Sequence, residues 1–243
     1  VYTRIFIFYE VIMFFTKKNV SFFTVKIFLF LFSFNVMAGG IMLSGTRVVY
    51  PVNDEQVTMS IKNTSEKSSF LVQSWVEDSA GEKTKDFVIA PPLYVSNPKN
   101  ENKLRIFLTK EVESLVKEQL YYLNVKSVPS IAKNQVENKN MLMLASITRI
   151  KLFLRPDDLP SPTNDVYEKM KFTVSSGEMT MKNPTPYYLT LAHIKIDNEN
   201  LKDTMVAPYS ERSVRIKPGA YSMVKYRVVN DFGSVSKEFN SKL

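Results

Sequence analysis

The sequence predicts an all-β protein made of two β-sandwiches in series. Short runs rich in β-branched and aromatic residues alternate with period two, and Asn, Asp, Gly, Ser and Pro clusters separate them. No segment sustains a period of 3.6. A proline-dense break at Arg155-Pro156-Asp157-Asp158-Leu159-Pro160-Ser161-Pro162 divides the strand-like runs into two groups.

The first 38 residues stand apart. From Met13 the chain carries Lys17, Lys18 and Lys26, then the apolar stretch Ile27–Phe34, then Val36 and Ala38 ahead of Gly39. This is the layout of a secretory signal peptide, cleaved after Ala38. The apolar run falls short of the roughly 20 residues that cross a bilayer. Residues 1–12 precede the first methionine and are expected to be an upstream extension.

Lysine and arginine exceed the acids by eight. Arg4, Lys17, Lys18 and Lys26 against Glu10 place three of those charges in the leader. No dense basic block remains, so nucleic acid is not an expected partner. The chain has no cysteine, which excludes disulfides, thiol catalysis and cysteine metal sites.

In the first group, Thr46–Tyr50, Val57–Lys62, Phe70–Glu77, Leu104–Thr109 and Leu120–Lys126 read as strands, and Lys110–Gln119 as at most a short helical turn. Beyond the prolines, Met170–Val174, Glu178–Lys182, Tyr187–Ile196, Arg212–Ile216 and Met223–Val229 read as a smaller sandwich. The expected domains are residues 39–156 and 157–243.

Met141–Leu154 is far longer than an ordinary strand of five or six residues. Its first half, Met141-Leu142-Met143-Leu144-Ala145-Ser146-Ile147, is apolar on both alternating faces. A sandwich's own core covers one face. Either this is an ordinary central strand, or its second face is covered from outside the chain.

Catalysis finds little support. His193 is the only histidine and reads as a packed or surface residue, and no acid cluster has metal-ligand spacing. No enzyme activity, metal or cofactor is expected. The notable polar residues are Arg47, Arg149 and Lys151, set among apolar strand residues. Two such cations converging in a cleft make an anion site, most simply for a carboxylate.

The chain resembles the periplasmic chaperones of the chaperone–usher pathway, the type 1 and P pilus chaperones in particular. The likeness runs from about Gly45 to the C-terminus. Its motifs are Thr46-Arg47-Val48-Val49-Tyr50-Pro51, Gln73–Glu77, Ala90–Leu93, Leu120–Val125, Arg149–Pro156, Asn183–Tyr188 and Val229–Gly233. The resemblance implies two immunoglobulin-like sandwiches in a boomerang arrangement. It also implies donor-strand complementation, in which the chaperone lends a strand to an incomplete fimbrial subunit and then delivers the subunit to an outer-membrane usher.

By the same resemblance Leu142, Leu144 and Ser146 fill the subunit's groove, with serine where a large apolar residue is usual. A one-residue slip would instead present Met141, Met143, Ala145 and Ile147. Arg47 and Lys151 are implied to anchor the subunit's terminal carboxylate, helped by Thr46. Glu118, Arg155 and Asp231 are implied to form an ion network between the domains. Leu71, Pro98 and Val128 are implied to contact the usher. The cysteine-free loop Pro129–Asn140 points to the short-loop branch, and an unloaded chaperone is expected to cap its donor strand by self-association. The alternative function is a structural or adhesive sandwich subunit of a surface fibre.

Overall fold

The structure is a computed structural model that describes residues 39–112, 114–130 and 144–243. The leader and Leu142, like Met141 and Met143, lie outside the described residues.

In chain order the first sandwich holds β1 (Ile41–Leu43), β2 (Arg47–Pro51), β3 (Val57–Asn63), β4 (Phe70–Glu77), β5 (Phe87–Ala90), β6 (Leu93–Ser96), β7 (Glu101–Leu108), β8 (Gln119–Pro129) and β9 (Ser146–Arg155). One sheet has the order β1-β3-β7-β5 and the other β2-β9-β8-β4-β6. The alternation of apolar residues explains the layering. Phe70, Val72 and Val76 on β4, Ile61 on β3, Leu104 and Ile106 on β7, Leu123 and Val125 on β8, and Leu152 and Leu154 on β9 all point into one core. Tyr50 is fully enclosed there, and its hydroxyl donates to Asp54 O and accepts from Leu108 N.

The chain changes sheets between β1 and β2. β1 pairs antiparallel with β3, whereas β2 pairs parallel with β9, starting at Arg47↔Lys151 and ending at Pro51↔Arg155. On its other side β9 pairs with β8 over all but its last residue, from Ser127↔Ser146 to Gln119↔Leu154.

The second sandwich follows the prolines. A single helical turn, α1 (Asn164–Tyr167), leads to β10 (Lys171–Ser175), β11 (Glu178–Asn183), β12 (Leu189–Ile196), β13 (Glu199–Asn200), β14 (Thr204–Val206), β15 (Ser210–Arg215), β16 (Met223–Val228) and β17 (Phe239–Lys242). Its sheets run β10-β11-β15 and β13-β12-β16-β17, with β14 also on β12. The core is built on Met179, Met181, Leu191, Ile196, Val224, Tyr226 and Val228. Asn183 is fully buried, and its amide donates to Tyr187 O, Val206 O and Ala207 O, so its polarity is satisfied by loop carbonyls.

The structure differs from the sequence reading in places. β1, β5, β6, β13, β14 and β17 were not predicted, because two to four residues give alternation too little length to register. Residues 110–112 and 114–118 form no helical turn. His193, read as a packed or surface residue, is on the surface, at a bulge in β12 where φ is +51°, with its N–H donating to Asp203 Oδ1.

Candidate functional site: a free strand edge and the cations at its end

β9 has two regimes. From Lys151 onward it is a central strand flanked by β2 and β8, with Leu152, Phe153 and Leu154 buried. Before that it is an edge. Residues 146–150 pair with β8 alone, and among the described residues nothing pairs their other side. Every residue from Leu144 to Arg149 is exposed on either face, Leu144 at 70% and Ile147 at 57%.

The predicted strand Met141–Leu154 thus corresponds, within the described residues, to a strand that begins at Ser146. Leu144 and Ser146 share the parity of Ile150 and Leu152, so they continue the core-facing row past the end of the core. Ser146 Oγ lies 2.8 Å from Ser127 Oγ, directly across the ladder, and Ser127 is buried. This pair gives a physical reason for serine here: it satisfies a buried hydroxyl in the neighbouring strand.

Arg47 and Lys151 stand side by side where the free edge ends, on the outward face. Both reach toward the second sandwich: Arg47 Nη1 donates to Val229 O at 2.9 Å, and Lys151 Nζ to Thr190 Oγ1 at 3.0 Å. The Arg47 guanidinium also lies over the Phe153 ring, which stacks on Tyr188. Among the described residues neither cation forms a salt bridge, and Arg47 Nε is buried without a hydrogen-bond partner. Burial lowers the pKa of each, and the Arg47 charge lowers that of Lys151 further. Two adjacent cations that are poorly hydrated and repel one another favour an incoming anion. Thr46 is exposed and packs against Gly233, so close that a Cβ there would run into Thr46 Oγ1.

The structure brings Glu118, Arg155 and Asp231 together. Arg155 Nε donates to Glu118 Oε1 at 2.8 Å, and its two terminal nitrogens bind both oxygens of Asp231 at 2.6 and 2.8 Å. Glu118 Oε2 accepts from Tyr188 N at 2.7 Å. Arg155 and Glu118 are 5% and 2% exposed, so the first sandwich's part of this link is shielded from water, while Asp231 on the second sandwich is partly exposed. Burial works against the charge of Arg155, yet hydrogen bonds to Asp231 and the two carboxylates raise its pKa. Burial pushes Glu118 up against the pull of Arg155. Asp231 falls below the usual carboxylate range despite its burial, because Arg155 and Ser161 donate to it.

Leu71 and Val128 are cross-strand partners on the outer face of the same sheet, and Leu71 also pairs with Val95. Leu71, Leu93 and Val95 are 40%, 54% and 54% exposed. Pro98 is not on this ladder; it lies in the turn after β6. Thr190, Tyr188 and the Val229 carbonyl were missed from sequence. They meet the cations only through tertiary folding, 39 residues apart for Thr190 and 182 for Val229, and carry no local pattern.

A free, half-apolar strand edge that ends at two unpaired cations defines a class: a binding protein that adds a partner's strand to its own sheet. The chain belongs to the pilus assembly chaperones. Residues 40–160 match the pili and flagellar-assembly chaperone PapD N-terminal domain, and residues 165–240 the pili assembly chaperone PapD C-terminal domain. Relatives include the probable fimbrial chaperone SfmC of Escherichia coli (strain K12), 40% identical over 82% of this chain and 86% of its own. The chaperone protein FimC of E. coli O6:H1 is 39% identical over 81% of this chain and 82% of its own. Among solved structures, the periplasmic chaperone SfaE is 36% identical with a TM-score of 0.69, covering 82% of this chain and 97% of its own. The SafB chaperone, solved with the Salmonella enterica SafA pilin, is 27% identical with a TM-score of 0.74, covering 86% and 98%.

Among the described residues no helix is long and apolar enough to cross a membrane, and no cluster of three His, Cys, Asp or Glu side chains could hold a metal.

Proposed function

We propose that this chaperone captures a fimbrial subunit by pairing the subunit's last strand with the free edge of β9 and seating its terminal carboxylate on Arg47 and Lys151. The observation that carries the reading is where the edge stops. A partner strand parallel to β9 along residues 146–150 runs toward Lys151, so its C-terminal end arrives at the two cations. Main-chain hydrogen bonds supply affinity without reading sequence, and the carboxylate fixes the alignment. Leu144 and Ser146 face the side on which the chaperone's own core ends, so they enter the subunit's groove. Burying Leu144 contributes roughly 2 kcal/mol.

The Glu118–Arg155–Asp231 triad holds the two sandwiches so that Thr190 and the Val229 carbonyl aim the cations. Leu71, Val95 and Val128 form the face offered to an outer-membrane usher. The site of action is the periplasm. Without a subunit, the same edge is open to a second copy of the chain.

Lys151→Ala and Arg47→Ala test the reading. Each is expected to stay folded, with a small loss of stability from its lost hydrogen bond to the second sandwich, yet weaken subunit capture about a hundredfold, within the range for truncating one partner of a desolvated charge pair. The readout is the yield of complex after co-expression with a fimbrial subunit. Wild-type yield from either variant sinks the anchor.

A further inference from the structure

Arg149 is the only charged side chain on the free stretch of β9. It lies on the same face as Lys151 and two residues before it, roughly 7 Å along the strand. That spacing creates a hazard for the proposed mode of capture, on which this inference rests. A partner strand that slips by one residue turns its apolar side chains to the wrong face. One that slips by two keeps every side chain on its proper face, so groove filling rejects it weakly. Its carboxylate would then stop at Arg149, whose planar fork binds carboxylates at least as well as an ammonium does.

The structure removes Arg149 from that competition. Its guanidinium lies 3.9 Å from the centroid of the Tyr122 ring, on β8, and its Nη2 is 3.2 Å from Glu77 Oε2, on β4. The side chain therefore spans two neighbouring strands, away from the open edge. The other Glu77 oxygen accepts from Trp75 Nε1 at 2.8 Å, and Lys83 sits over the Trp75 ring. The Glu77 side chain is 16% exposed and that of Arg149 44%, so the acidic end of the pair is shielded while its basic end is partly open to water. Gly81, at φ +90°, turns the chain after β4, and a Cβ at this position would stand 3.6 Å from Arg149 Nη2. Arg47 and Lys151, by contrast, have no carboxylate partner among the described residues.

We propose that Glu77, with Tyr122 and Trp75, masks Arg149 so that the edge offers one cationic station in place of two, which makes Glu77 a register-determining residue. Its job is specificity: it protects the correct alignment from the slip that side-chain alternation cannot detect.

The chain has no cysteine, so the register can be read by crosslinking. A Ser146→Cys chaperone is co-expressed with a fimbrial subunit carrying single cysteines scanned along its last strand. With Glu77 intact one subunit position dominates. With Glu77→Gln the position two residues away rises about tenfold relative to it, as expected for a balance shifted by about 1.4 kcal/mol. Adding Arg149→Leu to Glu77→Gln restores the single register, which a purely structural loss would not do. Tyr122→Leu, which frees Arg149 without touching Glu77, gives the same second position and serves if Glu77→Gln folds poorly. An unchanged crosslink pattern in both variants overturns the proposal. Lys151→Ala separates the two claims. Loss of complex there upholds the anchor whichever way Glu77→Gln falls, and wild-type yield overturns both.

Discussion

Arg155→Ala isolates the link between the sandwiches. The substitution deletes the Nε bond to Glu118 and the two-pronged contact with Asp231. Asp231 retains partial access to water, at 15% side-chain exposure, but Glu118 is 2% exposed and keeps only the Tyr188 N–H as a donor. An uncompensated carboxylate in such a place costs about 3–5 kcal/mol. For a chain of this size each kcal/mol moves Tm by roughly 2–4 °C, so a fall of about 10 °C is expected. Calorimetry measures the total. Trp75, the single tryptophan, reports the first sandwich alone by fluorescence. The two signals should coincide in the parent and separate in the variant, because the second sandwich loses its ionic tie and keeps only single hydrogen bonds such as those of Arg47 and Lys151. Replacing all three residues with apolar ones of similar volume should recover most of the loss, since removing a whole buried ion set leaves no charge stranded. A loss below about 1 kcal/mol with one coincident transition would refute the idea that the triad couples the sandwiches.

Three other outcomes are expected. Asp231 has a lowered folded pKa, so its stabilisation is complete above the unfolded value near pH 4 and disappears as pH falls through the folded one. Raised Glu118 acts with the opposite sign, so Asp231→Asn should flatten the acid limb of a stability–pH curve, and an unchanged limb would contradict this. Gly233→Ala should cost about 1–3 kcal/mol in thermal melting, because φ is +82° and the new Cβ meets Thr46 Oγ1. Thr46→Ala in the same chain should return only the steric part. Ser146→Leu should cost the free chaperone about 1 kcal/mol by stranding Ser127 Oγ, while slowing dissociation of a bound subunit. Faster dissociation would show that the pocket opposite Ser146 is shallow.

The longer strands were legible because alternation is a period-two signal that survives without context: Phe70–Glu77 was read to the residue, and β8 and β12 to within three residues at either end. The cations were visible as charges inside apolar runs, but not their geometry. Nothing local in the sequence says that Arg47 stands opposite Lys151, since a parallel pairing joins strands with six others between them in the chain. The masking of Arg149 was illegible for the same reason. Glu77, Tyr122 and Arg149 come from three strands, and only the register of β4, β8 and β9 brings them together.

One event in the chain path explains both halves of the site. Between Leu43 and Arg47 the chain leaves the sheet containing β3 and enters the sheet containing β9. Had it crossed a few residues earlier, β2 would have covered residues 146–150 and left no edge to offer. Had it crossed later, the edge would extend past Lys151 into residues whose side chains fill the chaperone's own core. The crossover therefore sets how much of β9 can be lent. Because Arg47 is the first residue of β2, it also places a cation at the boundary. An exposed strand edge is an aggregation hazard unless it is short and its pairing is specified. Among the described residues the free stretch of β9 spans 146–150, and its end is marked by charge. The length of the edge and the position of its stop are one structural fact.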